Sequence, residues 1–236
     1  MEIIIDKLQK RYAKKEVLKD INITIDNKGV YAILGPNGSG KTTLLKSILG
    51  LVIPQKGTIT IDQKNILNDW KYRKNLAYLP QIALFPEHLK VKELFRLIES
   101  LRKEKGIHLD RLIDKFQMES FLNQRVNTLS GGMKQKVNIV SGLMFETPII
   151  IMDEPTTGLD PLTVSTLKDI IFEEKEKGKT ILLTSHIMSF VEEVSEELIF
   201  LLEGKVHVYS NIERLIKEYK KENLEQTLAQ ILKDYD

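Results

Sequence analysis

The chain has 236 residues, enough for one large core, and its 42% hydrophobic and 29% charged content is ordinary for a globular protein. The net charge of +2 and the absence of cysteine argue against a dedicated nucleic-acid surface, disulfides and thiolate metal sites. Apolar runs are too short to cross a bilayer, and the first residues, with an acid at position 2, are unlike a secretory signal.

The N-terminal part predicts three strands. Residues 3–8 and 22–26 alternate apolar and polar side chains, as in a sheet with one solvated face, and residues 30–34 form a continuous apolar run. Between the first two strands lies a predicted basic turn, residues 10–15, which contains Tyr12. Tyr12 fits either the rim of a hairpin or a flat surface for stacking an adenine ring, and spacing alone favours the rim.

A glycine-rich stretch follows the third strand and precedes a helical pattern. Its nine residues are Gly35, Pro36, Asn37, Gly38, Ser39, Gly40, Lys41, Thr42 and Thr43. A strand, the pattern GxxxxGK[ST] and a helix together predict a phosphate-binding loop, in which backbone N–H groups and the helix N-terminus surround an anion. Lys41 would reach the β and γ phosphates, and Thr42 would hold Mg²⁺.

Two further strands are predicted at residues 58–61 and 76–79, and the second ends at Pro80 and Gln81. Gln81 is either a loop residue or a ligand, because α/β sheets gather ligand groups where strands end. From residue 82 to residue 142 the apolar spacing is helical. This region predicts a helical subdomain inserted into an α/β core.

The insert ends in a second candidate anion site. Ser130, Gly131 and Gly132 open a helix that is predicted to reach Met144. A serine N-cap with exposed N–H groups suits a phosphate, although the pattern alone indicates only a capped helix. This second candidate site is of interest because a chain that already has one phosphate loop has no obvious use for another anion site.

An apolar run at residues 149–152 closes on Asp153 and Glu154. Such a run predicts a buried parallel strand that presents carboxylates at its C-terminal end. Asp153 fits the acid that holds Mg²⁺ in the outer shell of a phosphate-loop ATPase. Glu154 points differently, so it can polarise a water for attack on the γ-phosphate.

The remaining elements are a helix, a buried strand, a hairpin and a tail. Asp160 and Pro161 are placed to start the helix. The strand at residues 180–185 is followed by His186, which is either a solvated loop residue or a hydrogen-bond partner of a γ-phosphate. Beyond the edge hairpin at residues 197–209, two capping boxes predict short helices, Ser210 with Glu213 and Asn223 with Gln226. Their apolar stripes would pack on the domain or on a partner.

The order of these motifs resembles the ATP-binding cassette (ABC) family, the nucleotide-binding subunits of ABC transporters. GPNGSGKTT is similar to its Walker A motif, LSGGM to its signature motif and IIIMDE to its Walker B motif. Gln81, the GLD string at 158–160 and His186 correspond to its Q-loop, D-loop and switch histidine. Tyr12 falls where the family stacks adenine, which reverses the preference that spacing alone gives.

The resemblance implies a fold and a domain division. The fold would be α/β, with a P-loop NTPase (RecA-like) core, an N-terminal antiparallel β subdomain and an inserted α-helical subdomain. Residues 1–236 would form a single ABC ATPase domain, with the core at 1–81 and 143–209, the helical subdomain at 82–142 and a helical tail at 210–236.

The resemblance also implies roles for the site residues. The catalytic residues would be Glu154, His186, Gln81 and Lys41. The Mg²⁺ ligands would be Thr42, Gln81 and Asp153. The ATP contacts would be Tyr12, residues 35–43, Ser130, Gly131, Gly132 and Asp160. Because two cassettes would meet head to tail, the signature residues would contact the ATP of a partner. Met133 departs from the glutamine usual in the family, and a thioether cannot make that residue's polar contact to the ribose.

The implied function is that of an ATPase subunit energising a separate membrane permease, most like the ABC-2 group, often exporters. The subunit would be cytoplasmic, dimeric and peripheral on the inner face of the cell membrane. Alternatives are a cytosolic ABC-type ATPase acting on nucleic acid or ribosomes, and a nucleotide-bound regulatory subunit with little turnover. Family members that act on nucleic acid or ribosomes carry a long coiled coil or a second cassette. This sequence shows neither, so no nucleic-acid partner is expected. A GTPase is disfavoured because no NKxD-type motif appears.

Overall fold

The computed structural model describes residues 1–235 and, for Asn68, the backbone alone. Its strands are β1 (Ile3–Tyr12), β2 (Lys15–Ile25), β3 (Gly29–Leu34), β4 (Lys56–Ile61), β5 (Lys64–Asn65), β6 (Leu76–Leu79), β7 (Ile149–Asp153), β8 (Thr180–Thr184), β9 (Glu197–Leu202) and β10 (Lys205–Asn211). Its α-helices are α1 (Lys41–Ile48), α2 (Val91–Arg102), α3 (Leu109–Lys115), α4 (Gly131–Leu143), α5 (Pro161–Glu176), α6 (Met188–Val194), α7 (Ile212–Glu218) and α8 (Leu224–Tyr235). Short 3-10 helices lie at Ile66–Asn68, Lys71–Asn75, Glu119–Phe121 and Val126–Thr128.

A six-stranded sheet forms the centre of the fold, in the order β10-β9-β3-β8-β7-β6. All neighbouring strands pair in parallel except β10, which pairs antiparallel with β9 at one edge. Strands β3, β7 and β8 are buried along their whole length. Because parallel strands end at the same edge, the segments that follow β3, β6, β7 and β8 lie side by side.

A four-stranded antiparallel sheet, in the order β2-β1-β4-β5, packs with α1 against one face of the central sheet. Alternate residues of β3 divide between two cores, as the period of two in a strand requires. Tyr31 and Ile33 face the antiparallel sheet and α1, whereas Val30 and Ala32 face the helices on the other side. The central sheet is therefore covered on both faces, and the predicted fold class is confirmed.

Two local predictions are wrong. The basic turn predicted at residues 10–15 shrinks to Ala13 and Lys14, because β1 extends to Tyr12 and β2 begins at Lys15. Ser210 does not cap a helix but lies in β10, and Asn211 caps α7 by accepting a hydrogen bond from the N–H of Arg214 at 3.2 Å. Both differences arise because hairpin pairing extends the strands beyond their apolar runs.

The C-terminal helices pack on the body of the domain. Leu224, Leu228 and Ile231 of α8 are buried in the same core as the apolar residues of α6. The N–H of Leu224 donates to the Glu192 carboxylate of α6 at 2.9 Å. The sequence left open whether the apolar stripes of these helices pack on the domain or on a partner. In the structure they pack on the domain.

No helix among residues 1–235 combines the length and the apolarity that crossing a bilayer requires.

A buried ionic network joins the helical region to the sheet at the edge opposite the phosphate loop. Lys179 and Glu174 are each only 4% exposed and pair with one another. Glu174 also pairs with Arg111 at the start of α3, and Lys179 with Glu146, which contacts His108. Burial alone would raise the pKa of Glu174, but Lys177 and Lys179 lower it below its usual value.

Replacing Lys179 should destabilise the fold. Lys179→Ala removes the buried partner of Glu174 and leaves the carboxylate buried. We therefore expect a loss of about 3 kcal/mol in the free energy of unfolding. Lys177→Ala removes an exposed partner of the same carboxylate and should cost less than about 1 kcal/mol. Urea unfolding of both variants measures the difference, and equal losses would contradict a stabilising role for the buried pair.

Candidate nucleotide site

A cavity of about 290 Å³ opens at the carboxyl edge of the central sheet. Its lining combines the phosphate loop with the ends of β6, β7 and β8. The lining residues are Lys15, Val17, Asn37, Gly38, Gly40, Lys41, Thr42, Thr43, Gln81, Asp153, Glu154 and His186. The fold thus brings the predicted catalytic residues and the predicted Mg²⁺ ligands to one place.

The phosphate loop depends on glycine at two positions. Gly40 has a φ of +109°, and a Cβ there would lie 2.8 Å from Cδ2 of Leu18. Gly35 has a φ of +146°, and its Cβ would lie 2.1 Å from the carbonyl oxygen of Leu201. Gly40 precedes α1 and supplies no side-chain cap, so the first N–H groups of the helix stay available to an anion. The loop therefore fits a phosphate.

Lys41 is half-buried and folds over the loop. Its Nζ donates to the carbonyl oxygens of Gly35 and Pro36, at 2.7 and 3.2 Å. Burial lowers the pKa of Lys41, and the negative charges of Glu154 and Asp153 oppose that shift. The ammonium is thus placed between the loop and the acid pair.

Thr184, at the end of β8, holds both acids of the pair. Its hydroxyl is fully buried and donates to Oδ1 of Asp153 at 2.7 Å. The hydroxyl oxygen of Thr184 also accepts a hydrogen bond from the N–H of Glu154 at 3.0 Å. The carbonyl oxygen of Thr184 accepts from the same N–H at 3.2 Å. Sequence reasoning missed this residue because its partners lie on the neighbouring strand, about thirty positions earlier in the sequence.

Glu154 is buried and adopts a left-handed backbone conformation with a φ of +51°. Such a conformation costs a non-glycine residue about 1–3 kcal/mol and is typical of functional sites. Burial raises the pKa of Glu154, and the contacts with His186 oppose the rise. A buried carboxylate with a raised pKa is suited to accepting a proton.

His186 contacts Glu154 through both backbone and side chain. Its N–H donates to Oε2 at 3.2 Å, and its Nε2 lies 3.2 Å from Oε1. Oε1 is buried and forms no well-directed hydrogen bond within the described chain. The imidazole itself is 56% exposed and faces the cavity, so it can reach a bound group.

The donor set of the cavity fits a magnesium ion. Thr42, Gln81 and Asp153 contribute a hydroxyl, an amide oxygen and a carboxylate, and hard oxygen ligands are what Mg²⁺ prefers. No cluster of three or more histidines, cysteines and acids suited to holding a metal is present in residues 1–235. A magnesium ion here would take its remaining ligands from phosphate oxygens and water.

Several predicted nucleotide contacts lie outside this cavity. Pro36 and Ser39 line an adjoining cavity of about 460 Å³. This cavity shares four lining residues with the first, namely Lys15, Val17, Asn37 and Gly38. Tyr12 lies on the hairpin opposite Lys15, 46% exposed, with Nζ of Lys10 at 5.0 Å from its ring centre. An adenine contact with Tyr12 stays a prediction.

The signature residues also lie outside the cavity. Ser130 is exposed and caps α4 by accepting from the N–H of Met133 at 3.3 Å, and Gly131 is likewise exposed. Gly132 lies beside the D-loop of its own chain, where an added Cβ would approach the carbonyl oxygen of Gly158 at 3.3 Å. The Met133 side chain packs on the helical core, as an apolar side chain would.

Asp160 is exposed and caps α5 instead of lining the cavity. Its carboxylate accepts from the N–H of Thr163 at 2.9 Å and from the Thr163 hydroxyl at 2.6 Å. These hydrogen bonds lower the pKa of Asp160. In contrast, Lys15 and Val17 line the cavity although sequence reasoning did not select them, because only strand pairing places β2 beside the phosphate loop.

Known proteins resemble this chain in both sequence and structure. The sequence matches the ABC transporter family over residues 18–157. The lantibiotic transport ATP-binding protein SrtF of Streptococcus pyogenes is 33% identical, over 94% of this chain and 93% of SrtF. A solved ATP-binding subunit of an ABC transporter has a TM-score of 0.90 at 30% identity, covering 98% of this chain and 100% of its own.

A third relative is the dimeric bacterial ABC transporter cassette MJ0796, with a TM-score of 0.78 and 28% identity over 89% of this chain and 98% of its own. The family match covers more than half of the sequence, and it contains the phosphate loop, Gln81, the signature residues and the acid pair. The chain belongs to the ABC transporter family, as one of its ATP-binding subunits.

Proposed function

We propose that the chain binds Mg-ATP, hydrolyses it and thereby drives a separate membrane permease. The observation that supports this most strongly is the convergence of Lys41, Asp153 and Glu154 on one cavity, with the buried Oε1 of Glu154 lacking a well-directed hydrogen bond. Nε2 of His186 lies 3.2 Å from this oxygen without forming a well-directed hydrogen bond, and a water held for attack would supply one.

The chain's own groups would each perform a distinct task. The loop N–H groups and Lys41 would bind and orient the phosphates. Thr42, Asp153 and Gln81 would hold Mg²⁺, which would neutralise charge on the β and γ phosphates. Glu154 would accept a proton from a water molecule while the oxygen of that water bonds to the γ-phosphorus and the bond from the γ-phosphorus to the β–γ bridging oxygen breaks, which releases ADP. His186 would donate to a γ-phosphate oxygen.

The second half of the γ-phosphate site would come from another copy of the chain. Ser130 and Gly131 are exposed and lie outside the cavity of their own chain, although α4 offers them at its N-terminus, where an anion is stabilised. The related cassette MJ0796 has been solved as a dimer. A head-to-tail pair would bring each signature segment to the partner's phosphate loop.

A substitution at Gly131 tests the paired arrangement. An added Cβ at Gly131 meets nothing within 4 Å, so the monomer has room for alanine. Because the residue is exposed, the carboxylate of an aspartate can extend into solvent. We expect Gly131→Asp to reduce ATP turnover about tenfold or more, because its carboxylate would face the partner's γ-phosphate. Gly131→Ala is the matched control for size and should lose less. The measurements are phosphate release and the sedimentation of the protein with Mg-ATP.

Two outcomes would contradict this assignment. Wild-type protein that binds ATP but releases no phosphate would favour a regulatory subunit with little turnover. Gly131→Asp protein with wild-type turnover and wild-type dimerisation would exclude the signature segment from the phosphate site. In either case the thermal midpoint of Gly131→Asp should not fall below that of the wild type, since an acid in the first turn of a helix is stabilising.

We further propose that the permease docks on the helical region between β6 and β7. We also propose the domain division that the sequence predicts, with the helical subdomain at residues 82–142 and the helical tail at residues 210–236. Exposed apolar side chains at Ile82, Leu84 and Leu101 support a protein contact there. Through that permease the subunit would lie on the cytoplasmic face of the cell membrane. The EPTTGLDP string favours an ABC-2 type exporter.

A further inference from the structure

Two buried amide side chains connect α4 to two of the segments that carry predicted catalytic groups, those of Gln81 and Glu154. Gln135 is 8% exposed and Asn138 2% exposed, and they lie three residues apart on the buried face of the helix. Nδ2 of Asn138 donates to the carbonyl oxygen of Pro80 at 2.8 Å. Nε2 of Gln135 donates to the carbonyl oxygen of Pro155 at 3.0 Å. These contacts point at two separate loops.

The two amides also contact each other. Nδ2 of Asn138 lies 3.3 Å from Oε1 of Gln135, which accepts a hydrogen bond from it. The three hydrogen bonds form one chain, from Pro80 through Asn138 and Gln135 to Pro155. We refer to this chain as the amide bridge. Hydrogen bonds in a buried chain strengthen one another, and breaking one leaves the others partly unsatisfied.

The anchor points of the amide bridge lie beside the proposed catalytic residues. Pro80 immediately precedes Gln81, and Pro155 immediately follows Glu154. Both carbonyls lie just past the ends of neighbouring parallel strands, β6 and β7, where ladder pairing has stopped. Without the amides these two carbonyls would lose the hydrogen bonds described above, so the backbone that carries Gln81 and Glu154 would be less constrained.

The surroundings show that packing alone does not require amides here. The other buried residues of α4 are apolar, namely Val137, Ile139, Val140 and Leu143. An apolar side chain at position 135 or 138 would continue that surface and avoid the cost of burying a polar group. The two amides are therefore the exceptions that an explanation must address.

We propose that Gln135 and Asn138 are positioning residues, which fix Gln81 and Glu154 relative to the helix that begins with Ser130. This inference rests on the proposed function, since it assigns Gln81 and Glu154 their roles in hydrolysis. Because α4 begins with the segment that would contact the partner's ATP, the amide bridge connects that contact directly to the two loops of its own site. Small displacements of such groups have large effects on rate.

The test compares Asn138→Leu, Gln135→Met and the double variant with wild type, using ATP turnover of the full chain. Both substitutions nearly conserve volume and remove the donors. We expect each single variant to lower kcat about tenfold or more while KM for ATP changes less than about threefold, because the phosphate loop is untouched. Ser141→Ala, on the same helix with a hydroxyl that has no partner in the described chain, is the matched control and should keep wild-type kcat.

The double variant distinguishes one connected bridge from two unrelated contacts. Residues of one network do not contribute additively, so the double variant should be no worse than the poorer single variant by more than about twofold. A multiplicative loss would overturn the connected bridge. A kcat within about twofold of wild type in both single variants would overturn the positioning role. Should Asn138→Leu fail to fold, Asn138→Ala, which removes the donor and leaves a smaller side chain, takes its place.

A second measurement separates failure of this inference from failure of the proposed function. Hydrogen–deuterium exchange of segments 81–85 and 156–158 should become faster in the bridge variants and stay unchanged in Ser141→Ala. If the wild type releases no phosphate, the proposed function fails and exchange alone judges the bridge. If the wild type is active and exchange in both segments is unchanged, the bridge inference fails while the proposed function stands.

Discussion

Glu154→Gln should bind Mg-ATP as the wild type does. Its rate of ATP turnover should be lower by a factor of about 10²–10⁴, which is the rate enhancement that a positioned general base supplies. The amide has nearly the same shape and can still accept the N–H of His186, which donates to Oε2 at 3.2 Å. It cannot accept a proton from water, because its oxygen is far less basic than a carboxylate. Removing a buried carboxylate beside Asp153 also relieves repulsion, so the fold should not suffer.

The same variant should accumulate as a dimer in the presence of Mg-ATP, because closure would no longer be reversed by hydrolysis. Single-turnover phosphate release and sedimentation with Mg-ATP check the two expectations. Glu176→Gln, which removes one carboxylate from the exposed side of α5, is the matched control and should behave as wild type. Turnover of Glu154→Gln at the wild-type rate would exclude Glu154 as the base.

Lys41→Ala should abolish nucleotide binding or reduce it so far that turnover is lost. Hydrogen bonds that involve a charged group contribute about 1.5–3 kcal/mol each, so losing the ammonium should weaken Mg-ATP binding at least about tenfold. The loss is made larger by the acid pair, whose negative charge would face the phosphates without the opposing charge of Lys41.

Lys46→Ala is the matched control for Lys41→Ala. Lys46 lies on the same helix, α1, but it is exposed and does not line the cavity. Equilibrium binding of a fluorescent ATP analogue compares the two variants with wild type, and the thermal midpoint of each shows that the loop has kept its fold. Unchanged binding by Lys41→Ala would contradict the phosphate-loop assignment.

Much of the fold is predictable from the sequence because its signals are local. The apolar runs that become β3, β7 and β8 are continuous, as buried parallel strands require, and the glycines and Lys41 follow the first of them directly. Once those strands are parallel neighbours, their ends must meet at one edge. Gln81, Asp153, Glu154 and His186 come together for that reason, although each lies in a different part of the sequence.

The contacts that orient these groups were beyond sequence reasoning. Thr184 looks like the last residue of a strand, and only the pairing of β7 with β8 places its hydroxyl between Asp153 and the N–H of Glu154. Gln135 and Asn138 look like polar positions on a helix, and only the packing of α4 on β6 buries them. The contacts of these three side chains depend on their tertiary neighbours, so no local sequence pattern predicts them.

The packing of α8 on α6 has a consequence for how the chain is made. Helix α6 begins two residues after His186, and its buried face (Phe190, Val191 and Val194) shares a core with α8, the last helix described. A ribosome synthesises α8 after every segment that it covers. Until α8 emerges, that face of α6 stays uncovered, and exposed apolar surface on a partly folded chain invites aggregation. The segment beside His186 is therefore among the last to reach its final environment during biosynthesis.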